Sequence, residues 1–374
     1  MTQNTTRDSE VNDLLCELVA KWNLDSRIES IETITPDASL RRYYRVHLSN
    51  LSDNHSPKTI VAMLFDSVEP PEAGGEEKIP TDAAYVQLTQ FYLDHSVAVP
   101  KIFLDARDKS ALLIEDLGSE HLADLLNDSA GRDGGDLKSA FKNAIDEIVK
   151  IQRISSSSNL FACKRSLSAN VLEAEVDEFE DYILSQKGLA SDSVSIIAKF
   201  KTELCAFLES KASVLCHRDF HPWNLLLSAD LRIRVIDFQD SLLGSPFYDV
   251  VALLNDRDVD SALGRDAYLE LLKYFFDCVD IAWDEPSLYL MTLLQRDLKV
   301  AGRFSKLSSE RGLTSYEKWI PGTLRRIGRS LASLSTESFV SAKNLDKNRL
   351  GEVRQILSSN IDYVAQGAKD PWLS

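Results

Sequence analysis

The chain has 374 residues, of which 44% are hydrophobic and 27% are charged, and this is the composition of an ordinary globular protein. It excludes collagen-like and wholly disordered chains, and the length predicts two or three domains or lobes whose core needs no disulfides. The net charge of −16 argues against nucleic acid and anionic membranes as partners, because the average surface repels them.

The cysteines and the N-terminal residues bear on the cellular compartment. The five cysteines are spread along the chain without a Cys-x-x-Cys motif, so neither a zinc ribbon nor a disulfide framework is expected. Residues 1–10 are polar and lack the apolar core of a signal peptide, and no run of about 18 apolar residues occurs. The sequence therefore predicts a cytoplasmic protein without a membrane span, and no obligate protein partner is evident.

The first third of the chain mixes helical and strand-like patterns. Apolar residues at helical spacing predict helices over residues 11–22 and 83–93. Five strands are predicted, and their short connections favour antiparallel pairing. They cover residues 28–34, 42–48, 59–65, 101–106 and 111–115. The acidic stretch at residues 67–80, with its prolines and glycines, is predicted to be a solvated loop.

After residue 118 the pattern becomes mostly helical. Helices are predicted over residues 136–153, 173–184, 193–208, 268–280, 288–304 and 323–334, and short strands over residues 214–216, 225–227 and 233–238. The charged run at residues 173–180 is predicted to be a solvated helix face. The expected fold class is α+β, with a small antiparallel-sheet lobe at residues 1–117 that ends in a hinge and a mostly helical lobe at residues 118–374.

The densest polar cluster lies between residues 214 and 240, where short apolar strands alternate with polar loops. Its main polar side chains are His217, Arg218, Asp219, His221, Asn224, Asp237 and Asp240. If these side chains converge, their oxygen atoms would supply a base and ligands for a hard cation. Such a ligand set suits Mg²⁺, which keeps several waters and bridges substrate phosphates.

The order of these residues resembles the protein-kinase signature H-R-D-x-x-x-x-N followed by D-F-G. Here the signature reads HRDFHPWN over residues 217–224 and DFQ over residues 237–239. The third position of the second motif is Gln239 rather than glycine. In this respect the chain is similar to the aminoglycoside phosphotransferase and choline kinase group, which has the kinase fold and phosphorylates small molecules.

Four further segments resemble one subgroup, the bacterial N-acetylmuramate/N-acetylglucosamine anomeric kinases. They are DASLRRYYRV at residues 37–46, LLIEDLG at residues 112–118, IDFQD with GSPFYDV between residues 236 and 250, and LQRDLKVAG at residues 294–302. The resemblance implies a two-lobed protein-kinase-like fold and ATP and Mg²⁺ as cofactors. It also implies phosphorylation of an amino sugar at its 1-hydroxyl, in the recycling of cell-wall sugars.

The resemblance assigns roles to the residues of the polar cluster. Asp219 would accept the proton of the acceptor hydroxyl or orient that hydroxyl, and Asn224 and Asp237 would hold Mg²⁺. Asp249 would support the loop that carries Asp219 rather than touch the substrate. Three residues are candidates for contact with the acceptor: His221, Asp240 and Arg296. The alternatives are a purely structural role for His221, a second metal contact or a turn role for Asp240, and a half-solvated helix for the segment that carries Arg296.

The same resemblance predicts where the nucleotide binds. Backbone groups from Glu115 to Leu117 would bind the edge of the purine at the hinge. A turn that contains Ser39, Arg41 and Arg42 would cover the phosphates.

One position departs from the protein-kinase pattern. Protein kinases carry a lysine on the third strand, whereas the equivalent run IVAM has Met63 there. The helix that follows offers Gln87 but no central acid that would pair with such a lysine. The nearest cations in the sequence are Arg41, Arg42 and Arg45, which either replace the lysine or are surface charges on an edge strand.

Two other functions are compatible with these residues. A kinase for an aminoglycoside or a choline-like amine would use the same motifs, and the acidic surface would suit a cationic acceptor. A non-catalytic nucleotide-binding pseudokinase is motivated by Met63, although the intact Asp219, Asn224 and Asp237 argue against it.

Overall fold

The computed structural model describes residues 2–34, 41–50, 57–65, 81–127, 134–228, 230–279, 286–336 and 346–369. Ser39 and the predicted loop at residues 67–80 lie outside these ranges. The chain divides into two compact units. The first comprises Met1–Pro71, Lys78–Glu120 and Leu226–Gln239, and the second comprises Glu72–Glu77, His121–Leu225 and Asp240–Ser374. The domain boundary after residue 117 stays a prediction.

A five-stranded antiparallel sheet forms the centre of the first unit, in the order β1-β2-β3-β5-β4. Its strands are β1 (Ser26–Ile34), β2 (Arg42–Asn50), β3 (Thr59–Leu64), β4 (Ile102–Ala106) and β5 (Ala111–Glu115). The unit also contains the helices α1 (Thr2–Trp22) and α2 (Thr81–Asp94). The predicted strands and their antiparallel pairing are confirmed.

The third strand presents different residues to the two faces of this sheet. Ile60, Ala62 and Leu64 belong to an apolar cluster with Leu15 and other residues of α1. Because side chains alternate along a strand, Met63 lies on the opposite face, where it is fully buried. The position where protein kinases carry a lysine is therefore filled here by a buried apolar side chain.

The second unit is mostly helical, as predicted. Its helices are α3 (Asp124–Asn127), α4 (Gly134–Gln152), α5 (Ala169–Phe179), α6 (Ser191–Ser210), α7 (Tyr248–Leu254), α8 (Val259–Cys278), α9 (Pro286–Arg311), α10 (Ile320–Leu334), α11 (Lys347–Asn360) and α12 (Asp362–Gly367). Four of them were not predicted: α3, α7, α11 and α12. Among the described residues, no helix combines the length and the apolar character needed to cross a membrane.

Short strands flank the polar cluster. The strand β6 (Val214–Cys216) pairs with β9 (Leu242–Gly244), and β7 (Leu225–Leu227) pairs with β8 (Ile233–Val235). The prediction that the third of these strands continues to residue 238 is wrong. It ends at Val235, and Asp237 has a φ of 63°, a left-handed conformation that a strand does not contain.

The helices α5 and α9 pack closely where Gly302 of α9 lies against the backbone at the end of α5. A Cβ atom at Gly302 would lie 2.4 Å from the backbone nitrogen of Phe179. Real Cβ atoms do not approach other atoms so closely, and the missing side chain is what permits the contact. This contact brings charged side chains of the two helices within reach of each other.

Candidate active site

A buried carboxylate holds the loop at residues 217–224. The Asp249 side chain, at the start of α7, accepts hydrogen bonds from the backbone amides of His217 at 2.7 Å and Arg218 at 3.0 Å. Arg218 has a φ of 81°, which a residue with a side chain rarely adopts, and these two bonds hold it there. The predicted supporting role of Asp249 is confirmed.

Asp219 lies next in this loop, with its backbone fixed on both sides. Its amide donates to Nδ1 of His217 at 3.2 Å, and Nδ2 of Asn224 donates to its carbonyl oxygen at 3.0 Å. Burial by itself would raise the pKa of the Asp219 carboxyl group. The charges of Lys299 and Arg218 outweigh that effect and lower the pKa to about 2, so that the group is ionised at neutral pH.

A cavity of about 590 Å³ lies beside the Asp219 carboxylate in the second unit. This volume is within the range of pockets that enclose small molecules. Among the described residues of its wall, the cationic side chains are Arg218, Arg257, Arg296, Lys299 and Arg303. The acidic side chains are Glu175, Glu178, Asp219 and Asp256. The cavity is thus more cationic than the protein as a whole, whose net charge is −16.

Glu175 of α5 and Lys299 of α9 form an ion pair in this wall, with 2.7 Å between oxygen and nitrogen. Nη2 of Arg218 lies 3.4 Å from the same carboxylate, and Nε2 of Gln295 donates to it at 3.1 Å. Burial would raise the pKa of Glu175, but these cations lower it overall. The prediction of a solvated helix face over residues 173–180 is wrong for Glu175, because packing at Gly302 covers that face of α5.

The segment of α9 that resembles the sugar kinases is buried. Gln295 and Asp297 are fully buried, and Arg296 is 6% exposed, so the alternative of a half-solvated helix is wrong here. Arg326 of α10 neutralises Asp297 through a bidentate pair at 3.0–3.2 Å. Arg296 and Lys299 turn toward the cavity instead.

The three residues predicted to contact the acceptor separate in the structure. His221 and Arg296 line the cavity, whereas Asp240 is not among its described wall residues. Burial lowers the pKa of His221 despite the nearby charges of Asp256 and Asp219, so that its ring is neutral at pH 7. The charge of Asp240 acts on the buried Arg165 and on Arg218 of the cavity wall.

In the first unit, the predicted phosphate-binding turn and a predicted metal ligand come together. Nη1 of Arg41 lies 3.5 Å from Oδ1 of Asp237, and Nε2 of Gln239 donates to the same oxygen at 3.1 Å. The Arg41 side chain is 14% exposed and that of Asp237 is 46% exposed. A cation therefore stands beside a carboxylate that solvent and ligands can reach.

The other two arginines of the turn have different neighbours. Arg45 donates to both carboxylate oxygens of Asp116, at 2.8 and 3.2 Å, and to the carbonyl oxygen of Gly118 at 2.9 Å. Nη1 of Arg42 donates to the hydroxyl group of Tyr44 at 3.3 Å. Arg45 thus ties β2 to the predicted hinge, and Arg41 is the arginine beside Asp237.

The predicted hinge follows directly after β5. The amide of Glu115 donates to the carbonyl oxygen of Lys101 at 2.8 Å, and its carboxylate pairs with Arg234 at 2.8 Å. Leu117 is half-buried beyond the end of the strand. The predicted contacts of Glu115 and Leu117 with a purine stay predictions.

The predicted metal ligands each offer an oxygen atom. Because Nδ2 of Asn224 is bonded to the Asp219 carbonyl, its Oδ1 atom is left for a cation. The half-exposed carboxylate of Asp237 offers a second oxygen. In the described part of the chain, no three His, Cys, Asp or Glu side chains are grouped to hold a metal. Mg²⁺ on a nucleotide does not require such a group, since waters and phosphates fill most of its positions.

Residues 30–289 match the sequence model of the APH phosphotransferase enzyme family. The chain belongs to this phosphotransferase family. Two related phosphotransferases are named N-acetylmuramate/N-acetylglucosamine kinase. The one from Pseudomonas aeruginosa is 27% identical over 79% of this chain and 82% of its own length. The one from Neisseria meningitidis serogroup B is 27% identical over 80% of this chain and 86% of its own length.

Solved structures of phosphotransferases have the same fold. The choline kinase LicA from Streptococcus pneumoniae is 13% identical, with a TM-score of 0.52, over 85% of this chain and 99% of its own. The amicoumacin kinase hAmiN, in complex with AMP-PNP, Ca²⁺ and Ami, has 13% identity and a TM-score of 0.54 over 80% of this chain and 88% of its own. The predicted protein-kinase-like fold is confirmed.

Several charged residues of the cavity were not singled out in the sequence: Glu175, Asp256, Arg257 and Arg303. A signal for some of them exists in the spacing of charges. Residues 296, 299 and 303 lie on one face of a helix, and so do residues 175 and 178. Two complementary faces of this kind indicate helices that pack against each other, but the pattern does not reveal which helices these are.

Proposed function

We propose that this phosphotransferase transfers the γ-phosphoryl group of ATP, with Mg²⁺, to the anomeric hydroxyl of an N-acetylated hexosamine. The observation that carries the proposal is the ionised Asp219 carboxylate in the wall of a sugar-sized cavity. Among the described residues, none donates a hydrogen bond to this carboxylate, which is therefore available to an acceptor hydroxyl. The names of the two relatives, N-acetylmuramate/N-acetylglucosamine kinases, supply the acceptor.

Asp219 would act mainly by orientation. A carboxylate with a pKa of about 2 is a weak base, so it does not deprotonate the sugar hydroxyl before the reaction begins. It accepts a hydrogen bond from that hydroxyl and directs the oxygen toward the γ-phosphorus. As the new bond between oxygen and phosphorus forms, the bond to the β–γ bridging oxygen breaks and ADP leaves. The hydroxyl proton passes to Asp219 and then to solvent.

The nucleotide would be held by residues of the signature, the turn and the hinge. Asn224 and Asp237 would hold Mg²⁺, which neutralises charge on the phosphates when it is bound. Arg41 would supply the fixed positive charge that a lysine supplies in protein kinases. Backbone groups of Glu115 and Leu117 would bind the purine. A cytoplasmic location, where ATP is abundant, fits this activity.

The charge of the cavity distinguishes this function from the main alternative. Among the described wall residues, five cationic side chains stand against four acidic ones, and this balance favours a neutral or acidic acceptor over a polycationic aminoglycoside or a choline-like amine. The proposed acceptors are neutral or acidic. The acidic surface noted in the sequence therefore does not extend into this cavity.

A panel of acceptors tests the proposal. The purified protein with ATP and Mg²⁺ is given N-acetylmuramate, N-acetylglucosamine, kanamycin or choline, and ADP release is followed by a coupled assay. We expect Mg²⁺-dependent turnover with at least one amino sugar and none with kanamycin or choline. Turnover only with the cationic acceptors would contradict the proposal, and an absence of turnover with all four would favour the pseudokinase alternative.

A further inference from the structure

Arg296 has a buried positive charge without an anionic partner of its own. Its side chain lines the cavity and is 6% exposed, and its Nη1 atom is buried with no hydrogen-bond partner. Among the described residues, none forms an ion pair with it. Burial of an unpaired charge is strongly unfavourable, and such a group is expected to gain an anion when the site fills.

The other cations of the cavity wall already have partners. Lys299 and Arg218 share Glu175, at 2.7 and 3.4 Å. Arg303 pairs with Glu178 at 3.0 Å. Each of these three side chains therefore has an acidic partner without a ligand.

Arg257 also has an acidic partner, together with two aromatic neighbours. It pairs with Asp256 at 3.4 Å, and its guanidinium group lies 5.2 Å from the ring centre of Trp223 and 5.4 Å from that of Trp319. The charge of Arg296 acts on Asp256 and on Asp297, but Arg257 pairs with Asp256 and Arg326 pairs with Asp297. Arg296 is thus the cation of the described wall that is left over for a ligand.

A second unpartnered atom lines the same cavity. Nδ1 of His221 is buried and has no hydrogen-bond partner in the described part of the chain. A guanidinium group offers two parallel N–H donors that match the two oxygens of a carboxylate. A neutral imidazole can add one further hydrogen bond.

We propose that Arg296 binds a carboxylate of the acceptor and thereby selects an acidic amino sugar over a neutral one. N-acetylmuramate carries such a carboxylate on its lactyl ether, and N-acetylglucosamine lacks it. The inference rests on the proposed function in that the acceptor is a hexosamine. N-acetylmuramate gains an ion pair with this buried guanidinium when it binds, whereas N-acetylglucosamine leaves it as unpaired as in the free protein, and this difference is the source of the selectivity.

The test compares kcat/KM for N-acetylmuramate and N-acetylglucosamine in the wild type, in Arg296→Gln and in Arg232→Gln. Arg232 is a matched control because its side chain is 79% exposed and the variant loses the same charge. We expect the preference for N-acetylmuramate to fall by about tenfold to a hundredfold in Arg296→Gln only. Turnover of N-acetylglucosamine should fall much less than that of N-acetylmuramate, and thermal melts of the variants report whether the fold is intact.

A second measurement does not depend on the folding of any variant. The methyl ester of N-acetylmuramate keeps the shape of the sugar but has no charge, and the wild type should prefer the acid over the ester by the same factor. Equal kcat/KM for acid and ester, or an equal loss for both sugars in Arg296→Gln, would overturn the inference and leave the proposed function intact.

Calorimetric binding separates failure of the inference from failure of the proposed function. If the wild type phosphorylates neither sugar, the proposed function is wrong. Binding of N-acetylmuramate that is weakened in Arg296→Gln, with binding of N-acetylglucosamine unchanged, would still support a carboxylate site. Binding of N-acetylmuramate that is the same in wild type and variant would overturn it.

Discussion

Nη1 of Arg41 lies 3.5 Å from Oδ1 of Asp237, in a unit where Met63 fills the position of the protein-kinase lysine. The pair brings a permanent cation next to a proposed metal ligand. Phosphoryl transfer depends on fixed positive charge near the transferring group, because positioning and electrostatics supply most of the catalysis. Arginine meets this need since it stays charged and binds two phosphate oxygens at once.

The first prediction concerns this arginine. We expect Arg41→Gln to lower kcat by about 10- to 100-fold, with a smaller change in KM for ATP, because the contact strengthens in the transition state. Arg42→Gln is the adjacent control, since Arg42 is bonded to the Tyr44 hydroxyl. Steady-state kinetics give kcat and KM for ATP, and thermal melts show whether the variants are folded. A folded Arg41→Gln enzyme with the kcat of the wild type would show that the charge comes from elsewhere.

The second prediction concerns the ion pair between Glu175 and Lys299. Glu175→Gln would leave Lys299 and Arg218 without their shared carboxylate, and removal of one partner of a buried pair lowers stability by about 3–5 kcal/mol. The double variant Glu175→Gln with Lys299→Met should recover part of this loss. Urea unfolding of the three proteins measures the effect. Equal stability of the wild type and Glu175→Gln would mean that the pair contributes little.

The third prediction concerns the contact of α5 with α9. Gly302→Ala puts a methyl group 2.4 Å from the Phe179 nitrogen, so the helices must separate, at a cost of about 1–3 kcal/mol. Lys299 then moves away from Glu175, and we expect kcat to fall as well. The matched control is Gly351→Ala in α11, where a Cβ meets no atom within 4 Å and alanine should be neutral or stabilising. Similar melting temperatures for both variants would refute the tight contact.

The fourth prediction concerns the pH dependence of stability. Burial raises the pKa of Asp249 to about 6, although His217 and two backbone amides favour its charged form. The pKa of Asp249 in the folded state thus lies above the ordinary value of about 3.9. Ionisation of this carboxyl group therefore lowers the free energy of unfolding as the pH rises through the pKa of the folded state. Relative to Asp249→Asn, the wild type should be less stable at pH 7.5 than at pH 5 by about 1.4 kcal/mol.

Chemical unfolding of both proteins at the two pH values checks this prediction. The variant keeps a side-chain oxygen that accepts one of the two amide bonds, so it is expected to fold. A difference in stability that does not change with pH would show that Asp249 titrates near its ordinary pKa in the folded protein.

Much of the fold could be predicted because local patterns were strong. The five strands carry continuous or alternating apolar residues, and the short connections left antiparallel pairing as the simple solution. The helix α7 could not be predicted in this way, because all seven of its residues are buried and it has no polar face. The helix α3 is only four residues long, which is too short to show a period.

Part of the candidate site could also be predicted from a local sequence pattern. Asp219, Asn224 and Asp237 stand in a signature whose spacing the sequence displays directly. The cavity wall depends instead on the packing of α5 against α9, two helices more than 100 residues apart, at a glycine. No local sequence pattern indicates such a contact, and the sequence therefore predicts a solvated side chain for Glu175. The choice of Arg41 among three arginines also required tertiary structure, since Arg45 bonds Asp116 far along the chain.

The most direct test of the proposed function is the identity of the product. The protein is incubated with ATP, Mg²⁺ and N-acetylmuramate, and the products are examined by ³¹P NMR and by an assay for the reducing end of the sugar. We expect a new sugar-phosphate signal coupled to the anomeric proton, a matching loss of reducing ends, and neither change with Asp219→Asn, whose kcat should fall by about 10²–10⁴-fold. Phosphate at another hydroxyl with the reducing end intact, or full activity of Asp219→Asn, would contradict the account.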